Sequence, residues 1–137
     1  MDNDIIIKKL DILIKKAEEH KEIPVAAVIV YNNKIIASSY NKTELKKNIL
    51  SHAEINAIQI ASKKLNNWRL NGCKLYVTLE PCSMCKEIIK KSRIDEVIFY
   101  IKQNSNVTEK NTNYTYIEND SFSIKLKDYF KKIRIEK

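Results

Sequence analysis

The sequence predicts a layered α/β domain in which helices cover a mixed sheet, and three observations carry that reading. The hydrophobic period switches repeatedly between helical spacing and short apolar runs of strand length, in the order α-β-β-α-β-α-β-β-α. The 137 residues are 44% hydrophobic, enough for one modest core. No repeat, linker or low-complexity block interrupts the pattern, so residues 1–137 read as a single domain.

From Ile5 to His20 the apolar residues Ile6, Leu10, Leu13 and Ala17 recur at helical spacing, with Lys8, Lys9, Lys15, Lys16 and Glu18 elsewhere. This is an amphipathic first helix, and Pro24 marks its end. Val25 to Tyr31 is a continuous apolar run, and Lys34 to Tyr40 resumes it after Asn32-Asn33, a pair tolerant of a tight turn, so the two strands form a hairpin. Ser51 to Leu65 carries Ala57, Ile58, Ala61 and Leu65 on one side and starts with Ser51 as N-cap, which predicts a second helix.

Cys73 to Leu79, rich in Leu, Tyr, Val and Thr, suits a buried strand. Pro81 opens a third helix, where its missing N–H costs nothing, running through Ile88 and Ile89 to about Ser92. Glu96 to Ile101 is a fourth strand. A polar stretch, Lys102 to Asn113, leads to a weaker strand around Tyr114 to Ile117, and Asp120 caps a last helix bearing Phe122, Leu126, Phe130 and Ile133.

Composition excludes several function classes. No run approaches the ~18 to 20 consecutive apolar residues of a membrane span, and Met1-Asp2-Asn3-Asp4 is acidic where a secretory signal is basic. The expectation is a soluble cytoplasmic protein with no membrane partner. Twenty-five Lys and Arg against seventeen Asp and Glu give +8, compatible with an anionic partner such as nucleic acid. Heavy use of Ile, Lys and Asn looks like the coding bias of an AT-rich genome, which discounts that charge. Gly72 is the only glycine, which excludes a P-loop or a dinucleotide fingerprint. Cys73, Cys82 and Cys85 are an odd number with two spaced C-x-x-C, fitting metal binding or redox chemistry better than a disulfide framework.

Two segments carry chemistry, Ser51-His52-Ala53-Glu54 and Glu80-Pro81-Cys82-Ser83-Met84-Cys85. Cys82 and Cys85, three apart at a helix start, share a face where the helix dipole favours thiolate. A catalytic zinc typically takes three protein ligands and leaves the fourth position to water. Of the two histidines, His20 ends a polar helix face, whereas His52 begins a buried-looking one. With His52, Cys82 and Cys85 as ligands, the pKa of bound water would fall toward about 7. Glu54, two residues past His52, is placed to contact that water and shuttle its proton to a ring nitrogen and then to a leaving amine. H-x-E followed by P-C-x-x-C is a known signature of zinc deaminases.

Each feature has a blander reading. Ser51-x-x-Glu54 is also a capping box, and C-x-x-C alone is compatible with a redox pair or a structural half-site. The two segments together, about thirty residues apart across a strand, favour the zinc site. Cys73, with no partner motif, reads as structural, and Trp68 and the tyrosines read as packing rather than base stacking.

On these residues the chain resembles the zinc-dependent cytidine/deoxycytidylate deaminase superfamily, and within it the bacterial tRNA adenosine deaminase family. Ile23-Pro24-Val25-Ala26-Ala27-Val28-Ile29-Val30, Ser51-His52-Ala53-Glu54-Ile55 and Leu75-Tyr76-Val77-Thr78-Leu79-Glu80-Pro81-Cys82-Ser83-Met84-Cys85 carry the likeness, and Ser92-Arg93-Ile94 continues it. The resemblance implies a three-layer α/β/α cytidine-deaminase-like fold with a five-stranded mixed sheet. It also implies a homodimer and a tRNA anticodon loop as partner. Asn41 matches the asparagine that contacts the target nucleoside, and Phe130 and Arg134 occupy the places of an aromatic and an arginine that contact the anticodon loop. The closing segment is the most basic of the chain, with six Lys or Arg from Ser123 onward.

The chain departs from that pattern after the fourth strand. Tyr100-Ile101-Lys102-Gln103-Asn104-Ser105-Asn106 lacks the family's loop glycines, and the connection is short. A parallel fifth strand needs a crossover of roughly a dozen residues, close to what Lys102 to Asn113 supplies; an antiparallel fifth strand is the alternative. The function expected is zinc-dependent hydrolytic deamination of the wobble adenosine of a tRNA to inosine. The alternatives are a deaminase of a free base or nucleotide (guanine, cytosine or dCMP) and a non-catalytic zinc protein, against which the presence of Glu54 argues.

Overall fold

The computed structural model describes residues 2–103 and 112–136, with side chains to residue 134. Its elements are α1 (Asn3–Glu19), β1 (Ala26–Tyr31), β2 (Lys34–Tyr40), α2 (Thr43–Lys46), α3 (Ala53–Leu65), β3 (Lys74–Leu79), α4 (Ser83–Lys91), β4 (Glu96–Ile101), β5 (Asn113–Tyr116) and α5 (Asp120–Glu136). The five strands form one sheet in the order β2-β1-β3-β4-β5. β1 is antiparallel to β2 and to β3, whereas β4 is parallel to both β3 and β5. The mixed sheet expected from the sequence is therefore present, and the open question of the fifth strand is settled as parallel. The connection between β4 and β5, including Asn104, Ser105 and Asn106, lies outside the described residues for most of its length.

Alternation along β1 divides the core. Ala26, Val28 and Val30 face a cluster with Ile6, Leu10, Ile14 and Ala17 of α1, Tyr100 and Phe122. Ala27 and Ile29 face a second cluster with Ala53, Ala57 and Ala61 of α3, Ile89 of α4, and Leu75, Val77, Val97 and Phe99. A strand covered on both faces has no polar side, which is why Val25 to Tyr31 reads as an unbroken apolar run. Small residues along α3 let that helix lie close on the sheet. Cys73 is buried in the same cluster, consistent with its structural reading.

Local details correct several boundaries. The β1–β2 turn puts Asn32 and Asn33 at φ 50° and 63°, the left-handed pair that a two-residue hairpin demands. Gly72, at φ +84°, precedes β3 with the Tyr31 ring 3.3 Å from where a Cβ would stand. α1 begins earlier than expected because Asp2 accepts from the Asp4 N–H. α3 is capped at His52, not Ser51, whose hydroxyl instead donates to Asn56 Oδ1 at 3.0 Å, so the Ser51–Glu54 capping box does not form. α4 is capped at Cys82, with Pro81 one residue outside. Asn119, rather than Asp120, accepts from the Phe122 N–H at the start of α5. The short α2 was not expected, since Thr43–Lys46 shows no apolar periodicity and buries no residue. Trp68 is 54% exposed, with the Arg69 and Arg93 guanidiniums 4.4 and 5.5 Å from its ring centre, so it packs at the surface against two cations and not in the core.

Candidate active site

Two helices begin at one place. His52 is the N-cap of α3 and Cys82 the N-cap of α4, and neither side chain makes a capping hydrogen bond to its helix. N-cap positions normally hold an oxygen that satisfies an orphan N–H, worth about 1 kcal/mol. Here both are given to residues whose side chains turn outward, toward each other.

Cys85, one turn into α4, completes the group. Cys85 Sγ lies 3.3 Å and Cys82 Sγ 3.9 Å from His52 Nδ1, and the three donor atoms all fall within 4.8 Å of one another. Zinc–nitrogen and zinc–sulfur bonds of about 2.05 and 2.3 Å at the tetrahedral angle set an N–S edge of about 3.6 Å. The two observed edges bracket that length, and one imidazole with two thiols is a donor set suited to zinc. Among the described residues, these three donors could together hold a metal ion. His20, by contrast, caps the end of α1 and stacks on Tyr40 at 6.1 Å, apart from this group.

Glu54 stands beside the triangle in the first turn of α3, 4% exposed. Burial pushes its carboxyl above the usual range, opposed by hydrogen bonding from its own backbone N–H and from Cys85. Burial likewise lowers the His52 imidazole, favouring the neutral ring that ligates metal. The Cys85 thiol is held strongly in its protonated form by burial, with the Glu54 carboxylate and then Cys82 adding to the effect. A cation held at the triangle would favour the Cys85 thiolate and the ionised Glu54 carboxylate, and would keep the His52 ring neutral.

His52, Cys82 and Glu54 line a cavity of about 290 Å³ together with Val25, Asn41, Thr43, Gln103 and Phe130. This is near the lower end of ligand-pocket volumes, roughly 300 Å³, and suits a single flat ring better than a chain. It lies where the carboxyl end of β3 runs through Glu80 into α4, a position favoured for ligands in α/β sheets. Asn41, 5% exposed, donates from Nδ2 to Thr43 Oγ1 at 3.5 Å, and its Oδ1 has no hydrogen-bond partner among the described residues. A buried acceptor left open in a cavity wall is a place for a ligand donor.

The structure thus brings His52, Glu54, Cys82, Asn41 and Phe130 to one cavity, with Cys85 fully buried beside His52. Phe130 leaves the core stripe of α5 to line it and is 45% exposed. Arg134 lies one turn further along α5, exposed and outside the lining.

Supporting residues were not legible in the sequence. Asn56 Nδ2 donates to the carbonyls of Tyr40 and Ser51, tying the start of α3 to the strand end that precedes Asn41. Glu80 accepts from Lys86 Nζ at 2.8 Å and from the Gln103 N–H at 2.9 Å, joining α4 to the segment after β4. The one available signal was a polar Asn inside an otherwise apolar helix face.

Comparison with known proteins adds a family. The profile of MafB19-like deaminases matches residues 1–134. The tRNA-specific adenosine deaminase of Bacillus subtilis is 48% identical over 85 residues, 62% of this chain and 53% of that protein. The tRNA-specific adenosine deaminase of Rickettsia felis is 37% identical over 134 residues, 86% of this chain and 93% of that protein. The matched region thus spans about half the length of the Bacillus protein. A solved structure from work on A-to-I editing by tRNA:A34 deaminases superposes with a TM-score of 0.75 at 28% identity, covering 81% of this chain and 95% of that one. A guanine deaminase from Bacillus subtilis gives a TM-score of 0.69 at 32% identity, covering 74% and 66%.

Proposed function

The chain belongs to the MafB19-like deaminase family, and from that premise we propose that it is a zinc-dependent hydrolase converting the wobble adenosine of a tRNA anticodon to inosine. One observation carries the reading: a His52, Cys82, Cys85 triangle with buried Glu54 beside it, at a cavity sized for one base. The tRNA substrate rests on relatives named for it.

His52, Cys82 and Cys85 would hold zinc, which when bound supplies a water activated at neutral pH. Asn41 offers Oδ1 to a donor on the target nucleoside and orients it. Glu54 takes a proton from the attacking water and returns it to the ring nitrogen beside the carbon under attack. It then passes the second proton to the departing amine, so the C–N bond breaks, ammonia leaves and a carbonyl remains. The low-polarity walls, Val25 and Leu79 among them, limit bulk water around the ring.

A loop adenosine is already unpaired, so extruding it into the cavity costs little. Phe130 at the cavity and Arg134 beyond it on α5 are placed for the flanking nucleotides and backbone. The chain acts as one catalytic domain, 1–137, in the cytoplasm, and no helix among the described residues is long and apolar enough to cross a membrane. A homodimer is part of the proposal: Leu45, Ile49 and Leu50, exposed on the segment before α3, are suited to cover by a second copy.

A free-base deaminase is the second reading, favoured by the likeness to a guanine deaminase. Salt separates the two. RNA binding releases counterions, so activity on an anticodon stem-loop at limiting RNA should fall steeply between 50 and 200 mM salt, by about 10-fold or more. Activity on a free base should stay level, and a level response with guanine as substrate would replace the tRNA reading.

A further inference from the structure

We propose that Glu22 is a positioning residue for the substrate wall of the cavity. The inference rests on the deaminase reading above and concerns the same site.

Glu22 is placed by how α1 ends. His20 closes the helix, Lys21 takes a left-handed φ of 58°, and the Lys21 and Glu22 N–H groups donate back to the carbonyls of Glu18 and Ala17. This paired closure turns the chain sharply and directs Glu22 inward, where it is fully buried. A buried carboxylate needs compensation. Its two oxygens accept from the N–H groups of Glu44 at 3.1 Å and Leu45 at 2.7 Å.

Those two amides are the second and third of α2, the positions that an N-cap side chain ordinarily satisfies. The residue at the N-cap itself, Lys42, makes no side-chain bond to the helix. Glu22 therefore caps α2 from another part of the chain, twenty-two positions away. A four-residue helix has no stability of its own, and within the chain α2 buries no residue that would hold it by packing. The base of the segment is closed by the Lys42 N–H donating to the Ser51 carbonyl at 2.9 Å.

The consequence reaches the cavity through Thr43. Thr43 begins α2 and its hydroxyl receives the Asn41 amide nitrogen, which leaves Asn41 Oδ1 as the group offered to a ligand. Loss of the Glu22 carboxylate frees α2, moves Thr43, and releases the Asn41 amide to rotate. The metal triangle, held by α3 and α4, is untouched. The expected signature is weaker substrate binding with the chemical step largely preserved.

The test compares Glu22→Gln with wild type in two readouts. Amide hydrogen exchange at Glu44 and Leu45 should accelerate at least 10-fold in the variant. On an anticodon stem-loop RNA, KM should rise about 10-fold while kcat stays within about 3-fold and zinc content is unchanged, the pattern of lost binding rather than lost chemistry. Phe122→Leu, in the core cluster on the opposite face of the sheet, serves as a matched destabilised control and should leave KM alone. Lys42→Asp in the Glu22→Gln background supplies a local cap and should restore both exchange and KM. Unchanged exchange at the two amides, or a KM shift equal to that of Phe122→Leu, overturns the proposal. If the wild type edits no RNA, the substrate reading fails, and exchange still decides whether Glu22 holds the wall.

Discussion

Cys85 Sγ and His52 Nδ1 lie 3.3 Å apart although thirty-three positions separate them in the chain. Their approach depends on α3 and α4 starting side by side, and each helix forgoes a side-chain cap for it. Function and stability therefore oppose each other at Cys82. Cys82→Ser should abolish stable zinc binding, read as metal per chain after dialysis. The same variant, compared with wild type with both stripped of metal by chelator, should be more stable by about 0.5 to 1 kcal/mol, because serine caps where cysteine does not. Calorimetric unfolding checks it; a Cys82→Ser protein less stable than stripped wild type would contradict the capping argument.

On the proposed mechanism Glu54 separates metal binding from proton transfer. Glu54→Gln keeps the shape of the side chain and removes its basicity, so zinc should remain at wild-type content while kcat falls about 10²- to 10⁴-fold. Metal analysis and single-turnover rates on the same preparation check both halves.

Alkaline pH should destabilise the fold through two buried acids remote from the site. Burial, with Asp95 adding, pushes the Cys73 thiol up to about 11, and burial, with Tyr76 adding, pushes Tyr100 up to about 12. Both folded-state values exceed those of an unfolded chain, about 8.5 and 10. The folded state holds its protons more tightly, so stability is intact below about pH 8.5 and falls as pH climbs through 11 and 12. Denaturant midpoints measured from pH 8 to 12 should decline, and Tyr100→Phe should flatten the upper part of that decline.

Much of the fold was legible because local patterns and tertiary roles agree. The helical stripe of α1 is the set Ile6, Leu10, Leu13 and Ala17 that the structure buries, and Asn32-Asn33 provides the turn its φ angles require. The His52, Cys82, Cys85 triangle was legible for a different reason: few residue types can ligate zinc, and the chain holds only two histidines and three cysteines. What escaped was set by groups distant in sequence. α2 has no periodicity because Glu22 holds it, and Glu22 carries no motif. The caps at His52 and Cys82 contradict residue preference because both side chains turn toward each other instead of back to their helices. Phe130 followed the core stripe in spacing, yet α5 turns it to the cavity. The parallel direction of β5 follows from pairing with β4, which periodicity does not encode.

The central claim is that the His52, Cys82, Cys85 triangle and Glu54 deaminate adenosine in RNA. The most direct measurement incubates the zinc-loaded chain with a tRNA carrying adenosine at the wobble position, then sequences the product beside a Glu54→Ala control. An adenosine-to-guanosine change at that position alone, absent with Glu54→Ala, is the result predicted. An unchanged tRNA with one zinc per chain, or editing that persists in Glu54→Ala, would contradict the account.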